Sequence, residues 1–317
     1  MAIYSYSTAA VGSAIVTELN APSARDVAMA GNLTCCSLKV RKAISIMSTY
    51  LESGSVLSRI AKVFAQLKRE GKKGFIPFIV AGDPDLETTG ELLVELANSG
   101  ATVIELGVPF SDPMADGPVI QRASERALRH GLGLAEVLET AATARRRTNV
   151  PIVLFSYYNP LLQYGVNLVP DVKKAGIDAV LVTDLALEES DEFARALRAK
   201  DLDVILLVAP TSTDVRLQAI AAKATGFIYA VSRAGVTGEQ ADVGAAAENL
   251  VNRVRQYSDL PVAVGFGIST SEQVAKTWAY ADAAVVGSAI VAEIERCAGA
   301  PETVQRVGEF ARRLVYT

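Results

Sequence analysis

The feature that most constrains the fold is a pattern that repeats eight times: a short apolar strand, a loop rich in glycine, proline, aspartate or serine, and an amphipathic helix. The strands do not alternate between apolar and polar residues, which is typical of strands covered by helices on both faces. We predict them at residues 75–80, 103–106, 151–156, 179–182, 203–208, 226–231, 261–264 and 283–286.

Eight strand–helix units within about 245 residues match the size of a closed (β/α)8 barrel. An open, doubly wound parallel sheet is the alternative, and eight units favour closure. An additional amphipathic helix precedes the first strand, and the long gap after the second strand leaves room for a short extra helix around residues 119–129. The other helices are predicted at residues 88–99, 134–147, 168–175, 188–199, 215–224, 245–257, 271–280 and 301–315.

The first 53 residues differ from the rest, because they are rich in alanine, serine and threonine, contain few acids and show no sustained period. We interpret residues 1–53 as a poorly ordered extension before a catalytic barrel domain of residues 54–317. Organelle transit segments have such a composition. A dispensable extension, or a start codon placed ahead of Met47, explains it equally well. We expect a cytoplasmic protein, or a plastid protein if the extension is a transit segment.

Composition excludes several classes of function. The net charge is only −4 at pH 7, and no apolar run approaches the roughly 20 residues that cross a bilayer, so neither a nucleic-acid partner nor a membrane is expected. The three cysteines form neither a disulfide framework nor a metal pattern. The single histidine, His130, sits where a helix is predicted to end, which argues against Ser–His or Cys–His catalysis and a His-rich metal site.

In a (β/α)8 barrel the chemistry lies at the carboxyl ends of the strands. No lysine stands there to form a Schiff base, and no cluster of histidines and carboxylates stands there to hold a metal. Proton transfer and positioning are the remaining means of catalysis. The residues at these ends are Asp83, Glu105, Tyr157, Asp184, Thr211, Ser232 with Arg233, Gly267 and Gly287.

Two carboxylates near the second strand form a candidate acid/base pair. Glu105 lies within the apolar strand, where a charged group is costly unless it has a partner or a function. Asp116 follows in a loop that contains three prolines. The alternative is that Glu105 pairs with a core arginine and that Asp116 only makes a turn. Asp83, in the sequence GDPD, is predicted to form a turn or a helix cap.

Glycine-rich loops follow the sixth, seventh and eighth strands, at residues 232–238, 265–269 and 287–290. Glycine lets backbone N–H groups approach an anion, and a helix beginning at Ser288 presents its positive N-terminal end. Barrel enzymes commonly bind phosphate between strands seven and eight, so we predict a phosphate site here. Aromatic residues at the strand ends predict a flat apolar ligand group attached to that phosphate: Phe78, Phe155, Tyr157, Tyr229 and Phe266.

From about Val56 to its C-terminus the chain resembles the tryptophan synthase α subunit family. Six motifs carry the resemblance: PFIVAGDPD (77–85), IELGVPFSDPMADGPVIQ (104–121), SYYNPL (156–161), SRAGVTG (232–238), GFGIS (265–269) and GSAIV (287–291). One departure is the sequence Asp184-Leu185-Ala186, where the family usually has D-L-P. That change softens a loop and removes no catalytic group.

The resemblance implies retro-aldol cleavage of indole-3-glycerol phosphate to indole and glyceraldehyde 3-phosphate. By similarity, Glu105 delivers a proton to C3 of the indole and Asp116 holds the indole N–H, with Thr237 bonding to Asp116 when the loops close. The family pattern places the phosphate on Gly238, Gly267, Gly287 and Ser288, and the indole ring among Phe78, Phe155, Tyr157, Tyr229 and Phe266.

The resemblance also implies a partner, the tryptophan synthase β subunit, in an α2β2 heterotetramer. Pyridoxal phosphate belongs to that partner, and no cofactor is expected in this chain. Three apolar loop residues, Pro109, Phe110 and Met114, are candidate interface contacts. A stand-alone indole-forming lyase and a weakly catalytic regulatory partner of the β subunit are the alternatives. The presence of both Glu105 and Asp116 argues against the regulatory alternative.

Overall fold

The computed structural model describes residues 57–231, 240–265 and 267–316, without the side chains of residues 240–243. Within these ranges eight parallel strands form a closed barrel in which neighbours in sequence are neighbours in space and the last strand pairs with the first. The strands are β1 (Gly74–Val80), β2 (Ile104–Gly107), β3 (Ile152–Ser156), β4 (Ala179–Val182), β5 (Asp203–Val208), β6 (Ile228–Val231), β7 (Val262–Gly265) and β8 (Ala283–Val286).

Helices alternate with these strands and cover the outside of the barrel. The predicted (β/α)8 class is confirmed, together with the helix ahead of β1 and the extra helix after β2. The helices are α1 (Arg59–Glu70), α2 (Leu86–Asn98), α3 (Pro118–Leu128), α4 (Leu134–Arg145), α5 (Tyr158–Tyr164), α6 (Leu168–Lys174), α7 (Asp191–Arg198), α8 (Asp214–Lys223), α9 (Gln240–Val254), α10 (Ser271–Trp278), α11 (Ser288–Cys297) and α12 (Thr303–Val315).

Helix α9 begins at Gln240 rather than at residue 245, and two further differences from the prediction have a cause in the hydrogen bonds. Helix α5 is not predicted, and its first residue, Tyr158, donates its backbone N–H to a carboxylate oxygen of Asp184, 2.7 Å away. That acceptor follows the next strand, so no local pattern reveals it. Helix α7 begins at Asp191 rather than at residue 188, because the preceding residues form a turn closed by the Glu189 N–H and the Ala186 carbonyl at 3.0 Å.

Helix α1 closes the amino-terminal end of the barrel. Its buried residues Ile60 and Phe64 pack in the same core cluster as Phe227, with the two aromatic ring centroids 5.9 Å apart. Arg59 adds an ion pair at 2.7 Å to Asp178, which lies just before β4. A ligand can therefore enter only from the carboxyl-terminal end of the barrel, where the predicted site residues lie.

Two expectations concern the chain as a whole. The boundary predicted between residues 53 and 54 lies outside the described residues. In the part that is described, no helix is long and apolar enough to cross a membrane.

Candidate active site

A cavity of about 700 Å3 opens at the carboxyl-terminal end of the barrel. It brings together both predicted catalytic carboxyl groups and most of the predicted binding residues. Thr237, Gly238 and Phe266, which are also predicted for the site, lie outside the described residues. The predicted residues that line the cavity are Phe78, Glu105, Asp116, Phe155, Tyr229, Gly267, Gly287 and Ser288.

Glu105 projects into this cavity from β2 and is only 1% exposed. Its Oε1 atom has no hydrogen-bond partner among the described residues. Burial raises the pKa of Glu105 to about 8, because desolvation disfavours the charged form. The carboxyl group is therefore protonated at neutral pH. No pairing with a core arginine occurs within the described ranges, so the alternative for this residue finds no support there.

Asp116 reaches the same cavity from the loop between β2 and α3. Its backbone does form a turn, because its N–H bonds to the Pro113 carbonyl at 3.0 Å and its own carbonyl accepts from Gln121 Nε2 at 2.9 Å. Burial raises the pKa of Asp116 to about 6, and the Tyr157 hydroxyl opposes that rise. Asp116 is thus mostly ionised at neutral pH, when Glu105 is neutral. Two carboxyl groups with separated pKa values in one cavity suit different roles in acid/base chemistry.

Tyr157 is predicted to contact a ligand ring, and the structure places it behind the loop that carries Asp116. Its hydroxyl accepts a hydrogen bond from the Ala115 backbone N–H at 2.9 Å. Its ring lies 5.1 Å from that of Phe110, and Tyr157 does not line the cavity. Burial, followed by the charge of Asp116, raises the pKa of the Tyr157 hydroxyl. The residue therefore stays a neutral hydrogen-bonding group that fixes the loop.

Two glycines make room for the aromatic wall of the cavity. A Cβ atom on Gly107 would lie 2.7 Å from Cζ of Phe78, and a Cβ atom on Gly265 would lie 2.2 Å from the hydroxyl oxygen of Tyr229. Both distances are far below a normal contact. Gly265 in the GFGIS motif therefore admits the Tyr229 side chain, whereas the sequence associates that loop only with anion binding.

The N-terminal end of helix α11 forms another part of the cavity wall, beside Phe78. Gly287 precedes the helix and Ser288 begins it, and no side chain caps this end. The first N–H groups of a helix lack internal partners and carry partial positive charge. This end can hold an anion, such as the phosphate group that the sequence predicts.

Comparison with known proteins identifies the family. The family model described as tryptophan synthase alpha chain matches residues 64–315. The chain is 47% identical to the tryptophan synthase alpha chain of Solibacter usitatus over 259 residues, covering 81% of this chain and 97% of the relative. The corresponding protein of Geobacter sulfurreducens is 48% identical over 259 residues, covering 81% of this chain and 98% of the relative. The chain belongs to the tryptophan synthase alpha chain family.

Solved structures agree with this assignment. The alpha subunit from Legionella pneumophila str. Paris superposes with a TM-score of 0.76 at 36% identity, covering 82% of this chain and 97% of that one. A Pyrococcus furiosus structure, which concerns mutual activation of the tryptophan synthase α2β2 complex, superposes with a TM-score of 0.69 at 37% identity, covering 76% and 97%. The protein is a lyase that carries out the alpha reaction of tryptophan biosynthesis.

Several residues line the cavity without having been predicted for it. Ile268 and Ser269 belong to the GFGIS motif. The motif therefore identifies the correct loop, but it does not predict which of its residues line the cavity. The full set of additional lining residues is Met114, Ala115, Gly117, Ile120, Ile268, Ser269, Val285 and Ala289.

Asp83 and His130, the other polar residues considered in the sequence, lie outside the cavity lining and have structural contacts. Asp83 forms a turn but caps no helix: it is buried and pairs with Arg126, whereas Asp85 caps α2 by accepting from the Thr88 N–H at 2.7 Å. His130 follows α3, as predicted, with Nε2 3.0 Å from the Pro84 carbonyl. The described part of the chain contains no group of three or more His, Cys, Asp or Glu side chains arranged to hold a metal.

Proposed function

We propose that this chain cleaves indole-3-glycerol phosphate to indole and glyceraldehyde 3-phosphate by a retro-aldol reaction. The observation that carries the proposal is a single cavity lined by a neutral Glu105, an ionised Asp116 and the N-terminal end of α11. The carboxyl groups suit the indole, and the helix end suits the phosphate. The substrate and the residue roles are parts of the proposal.

Glu105 transfers the protons of the reaction. Its carboxylic acid protonates C3 of the indole and produces an indoleninium cation. The bond between C3 and the side chain then breaks, and its electron pair enters the ring and neutralises the cation. The hydroxyl on the departing carbon becomes an aldehyde and returns its proton to Glu105, which restores the acid. A pKa of about 8 keeps the proton on Glu105 at neutral pH until the indole takes it.

Asp116 stabilises the charge that develops on the ring. Its carboxylate accepts a hydrogen bond from the indole N–H, which becomes more acidic as C3 is protonated. The interaction strengthens in the transition state, so it contributes to turnover more than to ground-state binding. This role requires the ionised form, which predominates above the Asp116 pKa of about 6.

The substrate lies across the cavity. Phe78 and Phe155 meet edge to face with ring centroids 5.2 Å apart, and with Tyr229 they form the ring pocket. Gly267, Gly287 and Ser288 receive the phosphate. Gly238, Thr237 and Phe266 keep their predicted roles as phosphate, loop and ring contacts.

The proposed partner is a tryptophan synthase β subunit that contains pyridoxal phosphate, in an α2β2 heterotetramer, and this chain itself uses no cofactor. Of the predicted interface residues, Met114 is 87% exposed, Phe110 packs partly against Tyr157 and Pro109 is buried. Met114 is therefore the strongest candidate contact. A cytoplasmic location remains part of the proposal, with a plastid location as the alternative.

An assay of indole release from indole-3-glycerol phosphate, with and without an added β subunit, tests the proposal. Glu105→Gln and Asp116→Asn keep the size of each side chain, and each is expected to lower kcat at least about 100-fold, the scale of a lost acid or base. Glu189→Gln, at an exposed position outside the cavity, is the control and is expected to leave kcat unchanged. Wild-type turnover by the Glu105 or Asp116 variant contradicts the corresponding role. If turnover without the β subunit equals turnover with it, the alternative of a stand-alone indole-forming lyase is favoured.

A further inference from the structure

Charged residues from three elements meet on the outer side of the cavity. Asp83, in the loop after β1, accepts two hydrogen bonds from the guanidinium of Arg126 on α3, at 2.8 and 2.9 Å. Arg126 also donates to Glu295 on α11 at 2.7 Å. Arg122, one turn earlier on α3, donates twice to the same Glu295, at 2.8 and 2.7 Å. We call Asp83, Arg122, Arg126 and Glu295 the ionic clamp.

The buried end of the ionic clamp fixes its geometry. The Asp83 side chain has no exposed surface, and a buried carboxylate is stable only with a partner that satisfies it. The planar guanidinium of Arg126 meets it with two parallel N–H groups, which defines both distance and orientation. Arg126 is thereby anchored to the loop after β1, and it also reaches Glu295, whose side chain is 31% exposed. Its two arginine partners hold the pKa of Glu295 at about 2, so Glu295 stays charged at neutral pH.

Helices α3 and α11 both begin at the cavity. Helix α3 starts at Pro118, two residues after Asp116, and α11 starts at Ser288. Below the ionic clamp their facing sides pack through Ala123 and Val291 in one apolar cluster. The small alanine lets the helices approach closely, and the ion pairs join them further along the same seam. The separation of the two helices therefore sets the distance between the Asp116 loop and the N-terminal end of α11.

We infer that the ionic clamp is a positioning device, in which Glu295 and Arg126 hold the Asp116 loop at the distance from the phosphate-binding end of α11 that the substrate spans. This inference rests on the proposed function, because it assigns the two ends of the substrate to those two segments. None of the four residues of the clamp lines the cavity, so they act through the placement of Asp116. Small misplacements of a reacting group are enough to lower a rate substantially.

The test is a double-mutant cycle on kcat for indole release, with Glu295→Ala and Asp116→Asn alone and combined. Glu295 lies at the solvent edge and its loss leaves the Asp83–Arg126 pair intact, so folding is preserved. Glu295→Ala is expected to lower kcat about three- to tenfold in the wild-type background, and to have no further effect on the residual turnover of Asp116→Asn. Glu91→Ala is the matched control, since Glu91 pairs with Arg147 through two hydrogen bonds away from the cavity and should leave kcat unchanged.

Two results overturn the inference: Glu295→Ala behaves like Glu91→Ala, or its loss of kcat is the same factor in both backgrounds. A second measurement is the affinity for glycerol 3-phosphate, a probe of the phosphate end alone. It is expected to stay within about twofold in Glu295→Ala, because the helix end itself is unchanged. A large loss of this affinity contradicts action through Asp116. The proposed function is judged separately, since it fails when Asp116→Asn alone keeps wild-type turnover.

Discussion

At the scale of single residues, burial determines which carboxyl groups are suited to acid/base chemistry. Glu105 is an apolar-strand residue with a carboxyl group, and its sequence position alone marks it as costly and therefore as a candidate for function. The roles of Tyr157 and Asp83 could not be predicted in the same way. The role of Tyr157 depends on the backbone of Ala115, 42 positions earlier in the chain, and that of Asp83 on Arg126, 43 positions later. Sequence patterns mark the residue types, and tertiary partners decide what those residues do.

The raised pKa of Glu105 makes the stability of the fold depend on pH. In the unfolded chain the pKa is near 4.5, and in the folded chain it is about 8, so the folded state binds more protons between these values. Stability therefore falls as pH rises through this window, by on the order of 3–5 kcal/mol in total. Glu105→Gln has no carboxyl group at this position and so lacks this pH dependence. Between about pH 5 and about pH 9, its free energy of unfolding relative to wild type is expected to increase by the same 3–5 kcal/mol, on the order of the wild-type decrease.

Urea unfolding at several pH values measures this effect, with the exposed Glu189→Gln as control. Glu189→Gln makes the same chemical substitution at an exposed position, and so controls for the substitution itself. Parallel pH profiles for wild type and Glu105→Gln contradict a strongly raised pKa at this position.

At the scale of elements, the short apolar strands and the amphipathic helices were accessible from the sequence because burial on both faces leaves a continuous apolar run. Helix α5 was not, because its first N–H group is satisfied by Asp184 from beyond the next strand. The same limit applies to the loop before α3. Its sequence predicts turns, whereas its anchoring through Ala115 and the Tyr157 hydroxyl is visible only in three dimensions.

Tyr157→Phe tests whether this anchoring serves the reaction. The variant loses the acceptor for the Ala115 N–H and the hydroxyl that lowers the pKa of Asp116. The Asp116 pKa is expected to rise above its value of about 6, so the acidic limb of kcat/KM moves to higher pH and kcat falls severalfold at neutral pH. Affinity for glycerol 3-phosphate is expected to stay unchanged, because the substitution leaves the residues at the N-terminal end of α11 in place.

Tyr158→Phe is the control for this variant. The Tyr158 ring packs edge to face with Phe193, 6.0 Å away, and its backbone N–H, which the substitution keeps, bonds to Asp184. Its pH profile should match that of wild type. An unmoved acidic limb in Tyr157→Phe shows that the hydroxyl does not act on Asp116.

At the scale of the whole molecule, closure of the barrel joins residues that are far apart in sequence. Pairing of β8 with β1, for example Phe75 opposite Ala284, carries the loop after β8 next to the strand that holds Phe78. The number of strand–helix units predicts that the barrel closes, but the sequence of any one unit does not reveal it. Helix α1 closes the other end of the barrel, and the two acids share one cavity with the N-terminal end of α11.

The pH dependence of kcat/KM for indole release is the most direct test of the central claim, that a neutral Glu105 and an ionised Asp116 act together. The rate constant is expected to rise as Asp116 ionises near pH 6 and to fall as Glu105 ionises near pH 8. The result predicted is a bell-shaped profile with its maximum between these values. A profile that keeps rising from about pH 7 to about pH 10 would contradict the claim, because Glu105 would then have lost the proton that the reaction requires.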